Sequence, residues 1–286
     1  MAEKVLVTGA TGKVGTVLVR LLLERGVEVK AGTRRPADAE GLLGARVEAV
    51  ELDYEATETW DEAVQWADRV FLVPPPFDPR SDDLLVPFLD WAVQSGTEHV
   101  VLLSAMGAEA RERMALRRVE QRIERTGVAW TFLRPNIYMQ NFSRGIVAHQ
   151  IRDMGEVRLP TEDGMVSFVD GRDVAAVAAA VLTVDEHAGR AYTLTGPEAL
   201  DHYQAAAIIS EVSGRHVGYM PVDEDETRYS LLAAGWPEDQ AETFSRLMTA
   251  IREGRRAGIS QDVPKLLGRP ATTFQAFSRE HAEAWR

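Results

Sequence analysis

The chain has 286 residues, 45% of them hydrophobic and 27% charged, and it contains no cysteine. These fractions are typical of a soluble globular protein, and the missing cysteines exclude disulfides, thiolate metal sites and cysteine nucleophiles. A formal net charge of −12 opposes nonspecific binding to nucleic acid or anionic membranes. The six histidines lack metal-ligand spacing, so no metal site is expected. Without a signal-peptide pattern or a long apolar run, a cytoplasmic protein is predicted.

The first half of the chain alternates β-branched runs with amphipathic stretches. Six strands are predicted, at Lys4–Thr8, Val27–Gly32, Arg46–Leu52, Arg69–Pro74, His99–Ser104 and Val128–Leu133. Helices are predicted between them at Val14–Glu24, Asp82–Gln94 and Glu109–Arg125. This repetition predicts an α/β fold of Rossmann type, with a doubly wound parallel sheet and helices on both faces.

The second half is less regular and mostly helical. Asp170–Thr183 predicts a helix, and Ala191–Leu194 predicts a strand that returns to the sheet. More helices are predicted near Asp201–Ser213, Asp225–Ala234, Pro237–Arg255 and Thr272–Trp285. We therefore expect a Rossmann domain at residues 1–150 and a smaller substrate lobe at 151–286, with residues 166–196 returning to the Rossmann sheet.

A glycine-rich loop joins the first strand to the first helix. Its glycines permit a tight turn, let backbone N–H groups reach a pyrophosphate, and let the helix pack on the strand. The helix N-terminus adds partial positive charge for phosphates. The strand-loop-helix context favours dinucleotide binding over a plain turn. The predicted contacts are Gly9, Thr11, Gly12, Lys13, Val14 and Gly15.

The end of the second strand indicates which dinucleotide binds. NAD sites usually carry a carboxylate there for the ribose 2′-hydroxyl, whereas this chain has Arg34 and Arg35. Arginine suits a 2′-phosphate, so NADP(H) is the predicted cofactor; the alternative is a solvated surface pair. Asp53, after the third strand, is either an adenine contact or a turn residue.

Residues at the ends of later strands are candidates for the nicotinamide and substrate region. Ligands of open α/β sheets lie outside the carboxyl ends of the strands. Cofactor contacts are accordingly predicted at Val73, Pro74, Ser104 and Pro135. Substrate contacts are predicted at Met106, Tyr138, Asn141, Phe142 and Phe168. Tyr138 is either a hydrogen-bond donor to substrate or an aromatic packing residue, and the prolines are otherwise strand terminators.

One helical segment combines acidic and basic residues. Glu120 and Glu124 lie among four arginines, a pattern typical of a salt-bridged helix face.

Several segments together resemble the NmrA-like family of atypical short-chain dehydrogenase/reductases, over nearly the whole chain. The resemblance is greatest to bacterial relatives of the ergot-alkaloid (festuclavine-type) reductases, with isoflavone-reductase-like enzymes and NAD(P)H-quinone oxidoreductases as relations. It implies an oxidoreductase, and it places the catalytic serine of the family at Ser104. The segments are TGATGKVG, TRRP, HVVLLSAMG, TGVAWTFLRPNIYMQNF, SFVDGRDVA and YTLTGPEAL.

The usual proton donor of that class is absent. No tyrosine has a lysine four positions later, and the lysine of the isoflavone-reductase-like branch would fall near Leu116. In Tyr-x-x-x-Lys the lysine lowers the tyrosine pKa for proton delivery. An iminium acceptor needs no proton, and a quinone or activated alkene can take one from water.

Three functions remain open. The first is an NADP(H)-dependent reductase, active as monomer or homodimer, that transfers hydride to a small or medium apolar molecule with a C=N, C=C or quinone group. The alternative is an NADP(H) redox-sensing protein without turnover, because the family includes such sensors. The third is an isomerase or lyase in which hydride returns to the substrate.

Overall fold

The computed structural model describes residues 3–44 and 47–286. The chain divides into two compact units, each built from several stretches. The first unit comprises Met1–Pro76, Arg80–Pro135 and Arg172–Thr193, and the second comprises Phe77–Pro79, Asn136–Gly171 and Leu194–Arg286. The domain boundary at residue 150 stays a prediction. The compact units divide the chain elsewhere, with Asn136–Gly171 in the second unit.

The first unit contains a seven-stranded sheet in the order β3-β2-β1-β4-β5-β6-β8, and β1 to β6 pair in parallel. The predicted doubly wound α/β fold is thereby confirmed. Arg46, the predicted start of β3, lies outside the described residues. The sheet strands are β1 (Lys4–Thr8), β2 (Glu28–Thr33), β3 (Glu48–Glu51), β4 (Arg69–Leu72), β5 (His99–Leu103), β6 (Ala129–Pro135) and β8 (Arg190–Leu194), while β7 (Glu156–Leu159) belongs to the second unit.

The helices of the first unit bury apolar stripes against this sheet. One sheet face, with Leu6, Leu72 and Leu102, packs against helices α3, α4 and α5 in a single core cluster. Strand residues buried on both faces give the continuous apolar runs that mark parallel sheets. The helices are α1 (Gly15–Glu24), α2 (Pro36–Leu43), α3 (Trp60–Val64), α4 (Ser81–Gln94), α5 (Ala115–Thr126) and α8 (Gly171–Leu182).

Helix α5 begins six residues later than the sequence predicts. Gly107, with φ of 79°, precedes a separate 3-10 turn at Ala108–Ala110, and Met114 is extended. The left-handed glycine and the extended residue break the helical path, so Glu109 belongs to the turn.

The second unit has an aromatic core of Phe142, Phe168, Phe274, Phe277 and Trp285. A two-stranded parallel sheet of β7 and β9, which periodicity did not predict, lies beside helices. Each of these strands has only four residues, too few to establish an alternating pattern. The remaining elements are α6 (Gln140–Ser143), α7 (Ile146–Met154), α9 (His202–Ser213), β9 (Gly218–Pro221), α10 (Glu224–Ala233), α11 (Glu238–Arg252), α12 (Asp262–Leu267) and α13 (Phe274–Glu280).

Candidate functional site

The Gly9–Gly15 loop is folded so tightly that Gly15 has no room for a side chain and Gly9 and Gly12 have little. A Cβ on Gly15 would lie 2.3 Å from the carbonyl oxygen of Gly9, below any real contact distance. Gly9 has φ of +59°, and its Cβ would lie 3.1 Å from a methyl group of Val73. The N–H of Gly12 donates to the carbonyl of Gly9 at 2.9 Å, which closes the turn.

The N-terminus of α1 faces outward from this loop with its donors uncapped. Val14 at the N-cap makes no side-chain capping bond, and the first turn contains no acidic residue. Thr11, Gly12 and Lys13 are exposed. The first N–H groups of a helix lack internal partners and carry partial positive charge, so they favour an anion. This donor set, free of carboxylates, fits the diphosphate of a dinucleotide.

Beneath the loop, a buried polar cluster joins β1 to β4. The hydroxyl of Thr8 accepts from the N–H of Val73 at 2.8 Å and donates to the carbonyl of Phe71 at 3.0 Å. The phenol oxygen of Tyr54 lies 2.8 Å from the Thr8 hydroxyl and 2.9 Å from the carbonyl oxygen of Val73. Burial raises the pKa of Tyr54, so its phenol stays neutral. Sequence reasoning missed Tyr54, because its partners are 46 and 19 residues away.

The two arginines after β2 differ in their surroundings. Both are exposed. The guanidinium of Arg35 pairs with Asp38 one helical turn later, at 2.8 Å. Among the described residues, no carboxylate pairs with Arg34. Arg34 is therefore the better placed of the two for an incoming 2′-phosphate.

Asp53 makes the contacts of a turn residue. Its carboxylate accepts from the N–H of Glu55 at 3.1 Å, and its carbonyl accepts from the indole of Trp60 at 2.8 Å. An aspartate that bonds the N–H two residues on forms an Asx turn. The adenine contact predicted for Asp53 stays a prediction.

A buried charged cluster surrounds Ser104 at the end of β5. Glu120 is 0% exposed, and it takes part in ion pairs with Arg117 and Arg134, as the predicted salt-bridged helix face implies. Its carboxylate accepts from the Ser104 hydroxyl at 2.8 Å and from two nitrogens of Arg134 at 2.9 and 2.8 Å. Arg117 adds a contact at 3.0 Å. We call Ser104, Arg117, Glu120 and Arg134 the Glu120 cluster.

The cluster keeps Glu120 ionised. Burial would raise the pKa of this carboxyl, but hydrogen bonds from Arg134 and Ser104 outweigh it and lower the pKa below its usual value. An ionised carboxylate can only accept hydrogen bonds, so the Ser104 hydroxyl donates its single O–H hydrogen to Glu120. The remaining lone pairs of Ser104 can accept a hydrogen bond, whereas the hydroxyl cannot donate to a substrate at the same time. The catalytic role of Ser104 stays a prediction.

The sheet brings the other strand-end candidates of the first unit to one edge. The N–H of Met106 donates to the carbonyl of Pro135 at 3.0 Å, and that of Ser104 to Leu133 at 2.7 Å. Parallel pairing of Leu72 with Leu102 places the Val73–Pro74 segment at the same edge. Ligands of open α/β sheets bind outside this edge.

Within the second unit, Tyr138 is half-buried and follows β6. Its backbone forms a bridge with Val169. Burial raises the pKa of the phenol, the opposite of what a neighbouring lysine does in Tyr-x-x-x-Lys. The phenol therefore stays protonated and suits hydrogen-bond donation better than proton transfer.

The other substrate candidates of the second unit divide between core and surface. Phe142 and Phe168 are each 2% exposed and pack edge to face at 5.2 Å. Trp285 donates to the carbonyl of Phe142 and closes the core over it. Asn141 is partly exposed. The substrate contacts of these three residues stay predictions, and the two phenylalanines already have a structural role in the core.

Across the described residues, no cluster of three or more histidine, aspartate or glutamate side chains is arranged to hold a metal ion. In the same part of the chain, no helix combines the length and hydrophobicity required to cross a bilayer.

Known proteins similar to this chain include two reductases with full-length coverage. The chain is 34% identical to an NAD(P)H azoreductase of Xenophilus azovorans, over 98% of this chain and 99% of that protein. It is 38% identical to a (4-alkanoyl-5-oxo-2,5-dihydrofuran-3-yl)methyl phosphate reductase of Streptomyces griseus subsp. griseus, again over 98% and 99%.

A solved structure and a family model extend this likeness. The triphenylmethane reductase of Citrobacter sp., crystallised with NADP(H), matches with a TM-score of 0.82 and 26% identity, over 98% of this chain and 99% of that one. The model of the NmrA-like family matches residues 1–266. The predicted family is confirmed: the chain belongs to the NmrA-like family.

Proposed function

We propose that this protein is an NADP(H)-dependent reductase that transfers hydride to a small or medium apolar organic acceptor with a C=N, C=C or quinone group. The observation that carries the proposal is the tight glycine loop at the uncapped start of α1, together with an Arg34 guanidinium that forms no ion pair with a carboxylate of the described residues. The names of the similar proteins support the coarser statement, an NAD(P)-dependent oxidoreductase. Their substrates differ, which is why the acceptor is proposed only by class.

The cofactor would be held mainly by backbone and arginine. The N–H groups of Thr11, Lys13 and Val14 would bind the diphosphate, and Arg34 would bind the 2′-phosphate. When bound, NADPH supplies a hydride, two electrons and a proton nucleus, from its nicotinamide. The residues of the strand ends, Val73, Ser104 and Pro135, would line that ring.

The protonation of Ser104, Glu120 and Tyr138 favours acceptors that need no side-chain acid. The O–H of Ser104 already donates a hydrogen bond to the Glu120 carboxylate. Tyr138 keeps its own proton because burial raises its pKa. An iminium carbon takes the hydride alone, and its nitrogen regains a lone pair. A quinone or an activated alkene takes the hydride and then a proton from water.

The first experiment is a fluorescence titration with NADPH and NADH on matched variants. Arg34→Ala should weaken NADPH binding about tenfold, because it removes a charge-assisted hydrogen bond, and should leave NADH binding unchanged. Arg35→Ala should have a smaller effect, since Asp38 already engages that guanidinium. Gly15→Ala should abolish measurable binding of both, whereas Gly41→Ala, whose Cβ would meet nothing within 4 Å, is the control.

The second experiment measures NADPH oxidation with a panel of cyclic iminium ions, naphthoquinones, conjugated enones and azo dyes. Turnover of at least one class supports the proposal. Binding without turnover of any acceptor favours the sensing function, and product formation without net NADPH consumption favours an isomerase or lyase. Failure of the wild-type chain to bind either nucleotide overturns the proposal.

A cytoplasmic location and a monomeric or homodimeric state belong to the same proposal. Light scattering with NADP⁺, with NADPH and without nucleotide measures the oligomeric state. A mass that changes with the nucleotide would favour the sensing function.

A further inference from the structure

A cavity of about 160 Å³ lies within the second unit, between helices α7, α10 and α11 and strand β7. Leu159, Leu231 and Phe244 line it, and all three are buried. Because these side chains belong to the core of the unit, close packing holds the apolar wall in place. An engineered cavity of about 150 Å³ with leucine, isoleucine and phenylalanine walls binds benzene, so this cavity has room for one aromatic ring.

The exposed side of the cavity is lined by polar groups. Arg158 of β7 donates to Oε1 of Glu226 of α10 at 2.6 Å, and its guanidinium also lies 3.4 Å from Glu156. The side-chain amide of Gln150 in α7 accepts from the N–H of Arg158 at 3.2 Å and donates to its carbonyl at 3.4 Å. Contacts from two helices therefore fix Arg158 and Glu226 at the edge of the apolar wall.

The two charged groups at this edge differ in their capacity for a further partner. In the described part of the chain, the Glu226 carboxylate accepts from Arg158 alone. A carboxylate has two oxygens with about four lone-pair sites, so Glu226 can accept from another donor. Arg158, in contrast, already pairs with two carboxylates, and an anionic ligand would have to compete with both of them. The edge of the cavity therefore suits a cationic donor.

A shallow acidic depression adjoins the cavity and shares Glu226 with it. Asp223, Glu224 and Asp225 also line this depression. Arg252 pairs with Glu224 at 2.7 Å, whereas Asp223 and Asp225 pair with no basic side chain among residues 3–44 and 47–286. Acidic residues in a first helical turn stabilise the helix N-terminus, and their surplus beside an apolar cavity also attracts cations to it.

We propose that this cavity binds a small arylalkyl ammonium ion with a single aromatic ring. The ring packs against Leu159, Leu231 and Phe244, and the ammonium donates to the Glu226 carboxylate. An apolar pocket with one convergent charged group at its edge is the usual form of a small-molecule site. The inference does not rest on the proposed function, since such an ion has no bond that accepts hydride and no nucleotide takes part in its binding.

Isothermal titration calorimetry of the full chain at pH 7 tests the site with three ligands of similar shape. Phenethylammonium should bind with a Kd of about 0.1–1 mM, a range that suits a ligand of this size. 2-Phenylethanol keeps the ring but offers a neutral donor, and should bind about tenfold more weakly. Phenylacetate should bind least, because its carboxylate meets the acidic edge. Equal affinities of the ammonium and the alcohol, or no binding of the ammonium at millimolar concentration, overturn the inference.

Matched variants locate the site. Glu226→Gln removes the charge and keeps the shape, so it should weaken phenethylammonium about fivefold to tenfold and change 2-phenylethanol less than about twofold. Glu242→Gln is the control, since it removes a carboxylate of α11 that pairs with Arg246 outside the cavity lining, and it should change neither ligand. Equal losses in the two variants contradict a site at Glu226.

A third variant tests the apolar part of the site. Ile146→Phe enlarges a side chain of the cavity lining, so it should weaken phenethylammonium and 2-phenylethanol alike. Its thermal midpoint shows whether it is folded, and the comparison of the three ligands on the wild type stands without it. If a folded Ile146→Phe binds both ligands as the wild type does, the ring does not enter this cavity and the inference is wrong. Failure of the wild type to bind NADPH would overturn the proposed function alone.

Discussion

Both compact units bury polar groups, and one cluster from each unit can be compared because the two are built on opposite principles. In the first unit the Glu120 cluster is ionic, with a carboxylate held by Arg134, Arg117 and Ser104. In the second unit the polar cluster is neutral. Thr161 lies 2.9 Å from Nδ1 of His202 and 3.0 Å from the phenol of Tyr219, among aromatic rings; we call it the His202 cluster.

The difference lies in how each cluster tolerates protons. Arginine neighbours lower the pKa of Glu120, so the ionic cluster holds until the carboxyl is protonated. Burial lowers the pKa of His202 to about 4. Its imidazole therefore stays neutral at pH values at which a histidine in water would be protonated. The His202 cluster is therefore sensitive to mildly acidic pH, whereas the Glu120 cluster becomes sensitive only at lower pH.

The largest effect is expected from Glu120→Gln. The change removes the closest counter-charge of the largely buried guanidinium of Arg134, which keeps only the half-exposed Glu109 at 3.4 Å among the described residues. Loss of one partner of a buried pair typically costs up to about 3–5 kcal/mol of unfolding free energy. Urea denaturation measures it. Glu124→Gln removes a largely solvent-accessible carboxylate that pairs with Arg117, and should cost less than about 1 kcal/mol. Equal effects of the two variants would remove the distinction between a buried ionic cluster and a surface pair.

A change of pH from 7 to 5 should destabilise the protein through His202. Because its folded pKa is lowered from 6.5 to about 4, the stabilisation is present above pH 6.5 and is lost as pH falls towards 4. At pH 5, protonation of His202 in the unfolded chain is expected to lower the free energy of unfolding by about 2 kcal/mol. His202→Phe should lose that much less stability between pH 7 and 5 than the wild type does.

Exposed His149 provides the control for that measurement. His149→Gln should reproduce the wild-type pH dependence of unfolding within about 0.5 kcal/mol. If His202→Phe kept the full wild-type pH dependence, the acid sensitivity would belong to other groups, such as His99 of the first unit, whose pKa is also lowered to about 4 by burial and by Arg69.

Effects smaller than that of Glu120→Gln are expected when one hydroxyl is removed from either cluster. Tyr219→Phe deletes a phenol that donates to the carbonyl of Leu159 at 2.9 Å, a neutral hydrogen bond worth about 1 kcal/mol. Ser104→Ala deletes a bond to a carboxylate and should cost about 1.5–3 kcal/mol. Thermal unfolding at pH 7 shows which variant loses more stability. A larger loss for Tyr219→Phe would contradict an ionic Glu120 cluster and a neutral His202 cluster.

The sequence predicted what depends on local spacing and missed what depends on distant partners. The Gly9–Gly15 loop is a short motif whose neighbours in sequence are its neighbours in space, so its place between β1 and α1 was predictable. The salt-bridged face of α5 was predicted, since Arg117 lies one turn from Glu120. The full burial of Glu120 was not, because it also depends on Arg134 and Ser104, 14 and 16 residues away. The role of Tyr54 was missed because its hydrogen-bond partners are also distant in sequence, 46 and 19 residues away.

The second unit shows the limit of spacing rules more clearly. Its helices were predicted approximately, since α9 carries a capping box of Asp201 and Gln204 and amphipathic periodicity. The strands β7 and β9 were missed. The positive φ of Phe77, whose ring packs against Trp236 and Phe244, was not predicted either. Tertiary contacts decide such positions, and no local pattern encodes them.

The interleaving of the two units constrains how the chain can be made and divided. Strand β8 pairs with β6 at the margin of the sheet, and Arg172–Thr193 is the last stretch of the first unit to be synthesised. Until that stretch leaves the ribosome, β6 presents open backbone donors and acceptors, which invite pairing with other chains. A fragment that stops at residue 150 retains the glycine loop but lacks this closing strand, so a nucleotide-binding half for expression has to carry residues 172–193 as well.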